Sequence, residues 1–353
     1  MPVASGGFVR FRKRQWGYQG SNSSVIVTPA VATRVLPWRG VPDVNLNYTY
    51  PDQDEGSLHK IAAPYQTAND ITATITGPLN HNDAPFLFTV GLVGGITPTG
   101  GTAKSWSFTP PSLTASPLGK ITEEFGDDVT TDWWQLMGGS AESFSLTGDG
   151  SMGPLQVSAN MRYAQWKSTG STDHPVSGTV PTSLTIDSTP VPVFLGDCEL
   201  FLDPTSGAIG TTKITNALEG LVLTVTNSID VKRRANGSNT RFSANDLALG
   251  AQDITLALTF AKTAQTVGLL SENDLWFDDT PSKRYVELRF TNPTIITGVT
   301  PYSLNIKGAF FYTVRGDGEQ NNNTQITLTG TLGYDSGLGY AIRAVAVNTL
   351  SAL

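Results

Sequence analysis

The chain has 353 residues, more than one ordinary core needs, and its 23 Lys and Arg fall short of its 30 Asp and Glu, giving a formal charge of −7. That acidic balance argues against general nucleic-acid binding, which calls for a basic surface. A single cysteine, Cys198, excludes an internal disulfide. No apolar run approaches the ~18 residues of a membrane helix, and no signal-peptide core opens the chain, so synthesis in a cytoplasm and no membrane segment are expected.

Residues 1–20 read as an extended N-terminal arm. Arg10, Arg12, Lys13 and Arg14 are interleaved with Phe8, Phe11, Trp16 and Tyr18. A solvated basic tail and a single-strand nucleic-acid grip are two readings of that pattern. The four aromatics favour a third, an arm docked on a neighbouring subunit, because a lone tail would leave them in water.

Residues 21–186 follow as a first β unit. Val25–Val35 is an opening strand, and Asp43–Tyr50 is an alternating one. Further strands are read over Asp70–Gly77, Trp106–Phe108, Ser143–Thr147 and Leu155–Tyr163. In each, apolar residues recur every second position, the period of a strand with one buried face. A Ser-, Thr- and Pro-rich linker over Thr169–Pro192 leads to a second unit, residues 187–353. There strands are read over Val193–Leu202, Gly220–Thr226, Asp253–Phe260, Arg284–Phe290, Ser303–Val314, Thr324–Leu332 and Ala341–Val347. With 36 glycines, 21 prolines and only 15% charged residues, the chain reads as all-β with one short helix per unit.

The units repeat one another. Asp70-Ile-Thr-Ala-Thr-Ile-Thr-Gly77 matches Asp253-Ile-Thr-Leu-Ala-Leu-Thr-Phe260, and a helical segment follows each, over Asn82–Val93 and Lys262–Leu270. Then Ser107-Phe108-Thr109-Pro110 matches Arg289-Phe290-Thr291-Asn292. Asp70 to Phe108 spans 38 positions and Asp253 to Phe290 spans 37, so an internal duplication into two tandem sandwich or barrel units is expected.

No catalytic constellation emerges. His59, His81 and His174 are scattered, no phosphate loop or nucleophile elbow is present, and one cysteine cannot build a zinc cluster. Glu123-Glu124 with Asp127-Asp128 reads as a solvated acidic corner rather than a glycosidase pair. Asp52-Gln-Asp-Glu55 lacks the spacing of a calcium loop, and Trp133-Trp134 reads as packing rather than a sugar platform. No enzyme activity, metal or cofactor is expected.

Several strands carry a polar, uncharged second face: Asn45 and Asn47, Thr72 and Thr74, Gln156 and Ser158, then Thr224 and Thr226, Thr255, Gln325 and Thr327. Open sheets leave edges, and closure through sister subunits removes them. With two like units per chain, three chains mimic a ring of six.

The phrases Lys104-Ser-Trp-Ser-Phe-Thr-Pro110, Lys120-Ile-Thr-Glu-Glu-Phe-Gly-Asp127 and Ala141-Glu-Ser-Phe-Ser-Leu-Thr-Gly148, followed by the turn Gly148–Gly153, resemble the tail tube (major tail) proteins of long-tailed bacteriophages. The resemblance implies a virion structural protein, made in the host cytoplasm, whose stacked rings form the phage tail tube through which the genome passes. It implies partners as well: further copies in trimeric rings of pseudo-six-fold symmetry, a tape-measure protein, tail terminator and tip proteins, and double-stranded DNA passing without specific binding. On that reading the polar faces line the lumen. The long connections Pro51–Asn69, with Asp52, Asp54 and Glu55, and Asn227–Gly250, with Lys232, Arg233, Arg234 and Arg241, meet the adjacent ring. A two-domain adhesin or carbohydrate-binding module shares this composition, and a capsid-decoration or baseplate role is a nearer alternative.

Overall fold

The computed structural model describes residues 12–20, 30–49, 65–92, 97–110, 118–127, 133–168, 184–185, 187–233, 246–263, 266, 282–320 and 323–353. Among them the fold is all-β, with one α-helix. The first half holds β1 (Arg12–Gly20), β2 (Arg34–Val35), β3 (Pro42–Thr49), β4 (Tyr65–Pro78), helix α1 (Ala84–Gly91), β5 (Lys104–Phe108), β6 (Lys120–Asp127), β7 (Trp133–Gly148), β8 (Gln156–Tyr163) and β9 (Gln165–Ser168). The second holds β10 (Cys198–Asp203), β11 (Lys213–Ile214), β12 (Leu218–Lys232), β13 (Asp246–Ala261), β14 (Ser282–Thr297), β15 (Thr300–Gln320), β16 (Asn323–Gly333) and β17 (Ile342–Asn348).

The strand pairing, all of it antiparallel, follows one scheme in each half. In the first half β1 pairs with β2 and β6, β3 with β4, β4 with β8, and β7 with β6, β8 and β9. The second half repeats this scheme: β10 pairs with β11 and β14, β12 with β13, β13 with β16, and β15 with β14, β16 and β17. Register agrees as well as order. Asn45 faces Asp70 in β3–β4, and Thr226 faces Asp253 in β12–β13.

Each half is two sheets joined by one long strand. The first part of β7 lies between β6 and β9, and its second part turns into the other sheet beside β8. Gly138, at φ 68°, sits at the crossing, where a side chain would be strained. In β15 the change of partner from β17 to β16 falls at Gly308, where a Cβ would stand 2.6 Å from the Ala341 carbonyl oxygen. Two further ladders bind the halves together. One is β7–β12, from Ser143↔Thr226 to Gly148↔Leu221, and the other is β17–β5, where Trp106 Nε1 donates to Asn348 Oδ1 at 3.1 Å.

One apolar cluster fills both halves, because alternate residues of every central strand point inward. Ile71, Ile75, Val157 and Phe144 from one half pack in the same cluster as Leu223, Leu256, Phe260 and Leu328 from the other. Helix α1 is buried along its whole length, with Pro85 in its first turn, where the missing N–H costs nothing. Phe88 of α1 lies with ring centroids 5.6 Å from Phe108 and 6.0 Å from Phe144.

Three expectations are corrected here. From Arg12 onward the N-terminal arm is β1, a strand of the chain's own fold, with Trp16 fully buried and packed edge-on against Trp38 at 5.3 Å. It is therefore not a docking element, and Tyr18 belongs to the same strand; Phe8 and Phe11 lie outside the described residues. Second, the repeated phrase ending in Phe108 and Phe290 does not mark equivalent strands. By its pairing, the counterpart of β14 is β6, while β5 pairs with β17 and has no counterpart among the described residues. Third, Glu123 and Glu124 form no solvated corner: both are buried, at 0% and 5% exposure. Most of the second helix expected over Lys262–Leu270, most of the linker expected over Thr169–Pro192, His59, His174 and the Asp52–Glu55 cluster lie outside the described residues.

Candidate functional site: a polar sheet face with two open edges

The β7–β12 ladder joins one sheet from each half into a single run of eight strands, in the order β3, β4, β8, β7, β12, β13, β16, β15. One face of this sheet is the core. The other is polar, and register carries it without a break across both halves. One row reads Thr76, Ser158, Ser145, Thr224, Thr255, Thr331, each opposite the next on successive strands. The next reads Thr74, Asn160, Ser143, Thr226, Asp253.

Every residue expected on this face lies on it by register. Asn45 and Asn47 are on β3, alternating with Val44. Thr72 and Thr74 are on β4, opposite Arg162 and Asn160, and Gln156 and Ser158 are on β8. Thr224, Thr226, Thr255, Gln325 and Thr327 continue it through β12, β13 and β16. The strictly alternating exposure of β8, with Gln156, Ser158 and Asn160 open and Val157, Ala159 and Met161 buried, shows the two-faced pattern most simply. Sequence reasoning missed Ser143, Ser145 and Thr147 of β7, and their every-second-residue spacing was the signal for them.

Short hydroxyls and amides satisfy one another across the strands. Thr74 Oγ1 donates to Asn160 Oδ1 at 2.9 Å, Asn160 Nδ2 donates to Ser143 Oγ at 3.1 Å, and Thr259 and Thr327 hydroxyls meet at 3.4 Å. Such pairs contribute roughly 0.2–1 kcal/mol each. Fixed charge is sparse. Arg162 is tied to Glu142 and lies 3.7 Å from Asp70, while Asp43 and Asp253 are exposed. Among the residues with described side chains, the face is therefore dominated by neutral groups and carboxylates, with Arg162 paired and the exposed Arg39, opposite Thr76, as a cation at its margin.

Of the expected contact loops, Asp52, Asp54, Glu55, Arg234 and Arg241 lie outside the described residues. Lys232 is paired with Asp230, and Arg233 Nη2 lies 2.8 Å from Asp70 Oδ1, so both reach partners within the chain. Trp134, of the tryptophan pair, packs against Trp166 at 6.1 Å.

The buried charges serve the fold. Trp16 Nε1 donates to Glu123 Oε2 at 2.9 Å, Tyr163 Oη donates to the same oxygen, and Arg14 Nε lies 3.2 Å from Oε1. Burial first, then the Glu123 charge, push the Tyr163 hydroxyl well above its usual pKa. In the second half Glu287 occupies the equivalent place, opposite Phe201 as Glu123 is opposite Trp16. It is held by Arg289 at 2.8 Å and Lys307 at 3.0 Å. No group of His, Cys, Asp and Glu able to hold a metal occurs among the described residues, nor is any described helix long and apolar enough to cross a membrane.

His81 is the buried group most sensitive to pH. Its ring packs 5.9 Å from Tyr302, its Nδ1 has no hydrogen-bond partner, and burial pushes its pKa from 6.5 down to about 4 against a hydrogen bond at Ser303. The folded chain keeps this histidine neutral while the unfolded chain protonates it near 6.5. Stability is therefore lost as pH falls below that value, by about 2 kcal/mol between pH 7 and pH 5. Denaturant melts of the wild type and of His81→Gln at the two pH values are expected to show a shallower pH dependence in the variant. Equal slopes would mean that His81 titrates alike in the folded and unfolded chains.

No family model matches the chain, and no curated protein matches its sequence.

Proposed function

We propose that the protein is a structural virion protein whose copies close into rings and stack as the tail tube of a long-tailed phage, a conduit for the genome. The observation that carries the reading is the eight-stranded sheet, in which two repeats already stand side by side, joined by backbone pairing, with a predominantly polar face continuous across both. Adding further copies in the same sense extends that face around an axis, and three chains of two repeats each give a ring of pseudo-six-fold symmetry. A closed ring leaves no strand edge unpaired.

The chemistry of the face fits the task. Duplex DNA binds proteins by exchanging counterions for Lys and Arg at its phosphates. A lumen dominated by threonine, serine and asparagine, with carboxylates and a paired Arg162, gives the phosphates few cations to hold, so the duplex slides. The hydroxyls and amides keep the wall wetted and bond among themselves.

Electron microscopy of the purified protein tests the reading: hollow tubes or rings of uniform bore are expected as concentration rises. A chain that stays monomeric at high concentration and binds glycans on an array would overturn it in favour of an adhesin.

A further inference from the structure

The eight-stranded sheet ends in two strands whose outer edges have no partner among the described residues. At one end β3 pairs with β4 alone. At the other, the β14 ladder is described as far as Ser282↔Tyr312, and among the described residues Thr313–Gln320 pairs with β16 alone. These edges are not arbitrary. By the duplication β3 is the counterpart of β12, and the last part of β15 is the counterpart of the last part of β7. The chain therefore pairs the same two kinds of edge inside itself, as β7–β12.

We infer that β15 of one copy pairs antiparallel with β3 of the next, in the register that the β7–β12 ladder prescribes. This rests on the reading that copies of the chain assemble, and it names the strands and the residues that do so. The register follows in two steps. Thr224, Val225 and Thr226 of β12 face Thr255, Ile254 and Asp253, as Asp43, Val44 and Asn45 of β3 face Thr72, Ile71 and Asp70. Likewise Ser145, Phe144 and Ser143 of β7 face Ser158, Ala159 and Asn160, as Arg315, Val314 and Thr313 of β15 face Thr327, Leu328 and Thr329. Within the chain Thr224 faces Ser145, Val225 faces Phe144, and Thr226 faces Ser143. Between chains the same slots become Asp43 opposite Arg315, Val44 opposite Val314, and Asn45 opposite Thr313.

The substitution of residues in those slots supports the assignment. Where the internal seam has a neutral Thr224–Ser145 pair, the outer seam has opposite charges facing each other. Asp43 is exposed and has no ion-pair partner among the described residues. The middle slot pairs valine with valine, Val44 with Val314, where the internal seam has Val225 with Phe144. A charge pair at only the outer seam also marks that seam as different from the internal one, so that copies add head to tail in one register.

Cysteine cross-linking tests the register. Chains carrying Asn45→Cys together with Thr313→Cys, in a Cys198→Ser background, are expected to form disulfide-linked oligomers on mild oxidation, since facing residues fall within the Cα separation a disulfide spans. Asn45→Cys with Gly318→Cys, out of register, is expected to form few. Reversed charges test the contact. Asp43→Arg alone, or Arg315→Asp alone, is expected to raise the concentration needed for assembly by ~3–10-fold, and the two together to restore it. Where a variant fails to fold, the cross-linking arm decides. If the wild type assembles while the two cysteine variants cross-link equally, or the single charge reversals leave assembly unchanged, the seam is overturned and the tube reading stays intact. Wild-type protein that never assembles overturns both.

Discussion

Arg14→Ala is expected to destabilise the chain by about 3–5 kcal/mol, the cost of leaving a buried carboxylate without its countercharge. Arg14 and Glu123 are 2% and 0% exposed, so water cannot replace the lost partner. Arg14 also donates from Nη2 to the Gly40 carbonyl at 2.9 Å and lies 5.6 Å over the Phe125 ring, which ties β1 to the segment before β3 and to β6. Removing both charges by Arg14→Met with Glu123→Leu is expected to cost far less than Arg14→Ala alone, because no charge is then stranded, although Trp16 Nε1 and the Tyr163 hydroxyl lose their acceptor. Urea unfolding of the single and double variants measures this. The half-buried Arg162–Glu142 pair at the sheet surface is the control, where alanine at either site is expected to cost under ~1 kcal/mol. A small loss for Arg14→Ala would show that the two hydrogen bonds donated to Glu123, rather than the ion pair, hold its side chain in the fold.

The same residues explain where sequence reading stopped. The strands of the polar sheet announced themselves, since one face buries Ile, Leu and Val while the other is threonine, serine and asparagine, giving a clean period of two. Within the other sheet of the first half, β1 and β6 break that rule. They bury Arg14, Gln15, Glu123 and Glu124, and read one at a time such residues belong to a tail or a surface corner. Only the pairing of β1 with β6, which sets Gln15 opposite Glu124 and Trp16 opposite Glu123, makes their burial affordable. Gln15 Nε2 and Gln135 Nε2 then donate to the two oxygens of Glu124 at 2.6 and 3.1 Å. Charge that is compensated across strands far apart in sequence is invisible to a window of local hydropathy.

The duplication was legible for a related reason and misread in one part. Asp70 and Asp253 anchor true counterparts, because the strands around them share pattern and partners. The Phe108 and Phe290 phrases match in letters and differ in partners, since β5 sits beside β17 and β14 beside β10 and β15. Both are aromatic-rich inner strands of the same layer, so similar burial produced similar sequence without equivalence. The seam between halves had no local signature at all, because backbone pairing between β7 and β12 demands only that both have extended edges.

Packing at that seam carries the other large effect. Phe144→Ala is expected to cost about 3–5 kcal/mol, combining lost burial with the cavity left behind. Phe144 faces Val225 across the seam and stands edge-on to Phe88 of α1, so the cavity would open where both halves and the helix meet. Its ring also restricts what the last residue of α1 can be. A Cβ on Gly91 would lie 2.3 Å from two ring carbons, so Gly91→Ala overpacks the site and is expected to cost about 1–3 kcal/mol despite alanine's better helix propensity. The two substitutions are expected to couple. With the ring gone, the methyl group introduced by Gly91→Ala occupies part of the vacated space, and the double variant falls short of the summed single losses by about 1 kcal/mol or more. Urea melts of the four proteins at one fixed concentration supply the cycle. Strict additivity would mean that the chain moves α1 away from β7 rather than compressing against Phe144, and that the helix, not the ring, gives way at the junction of the two repeats.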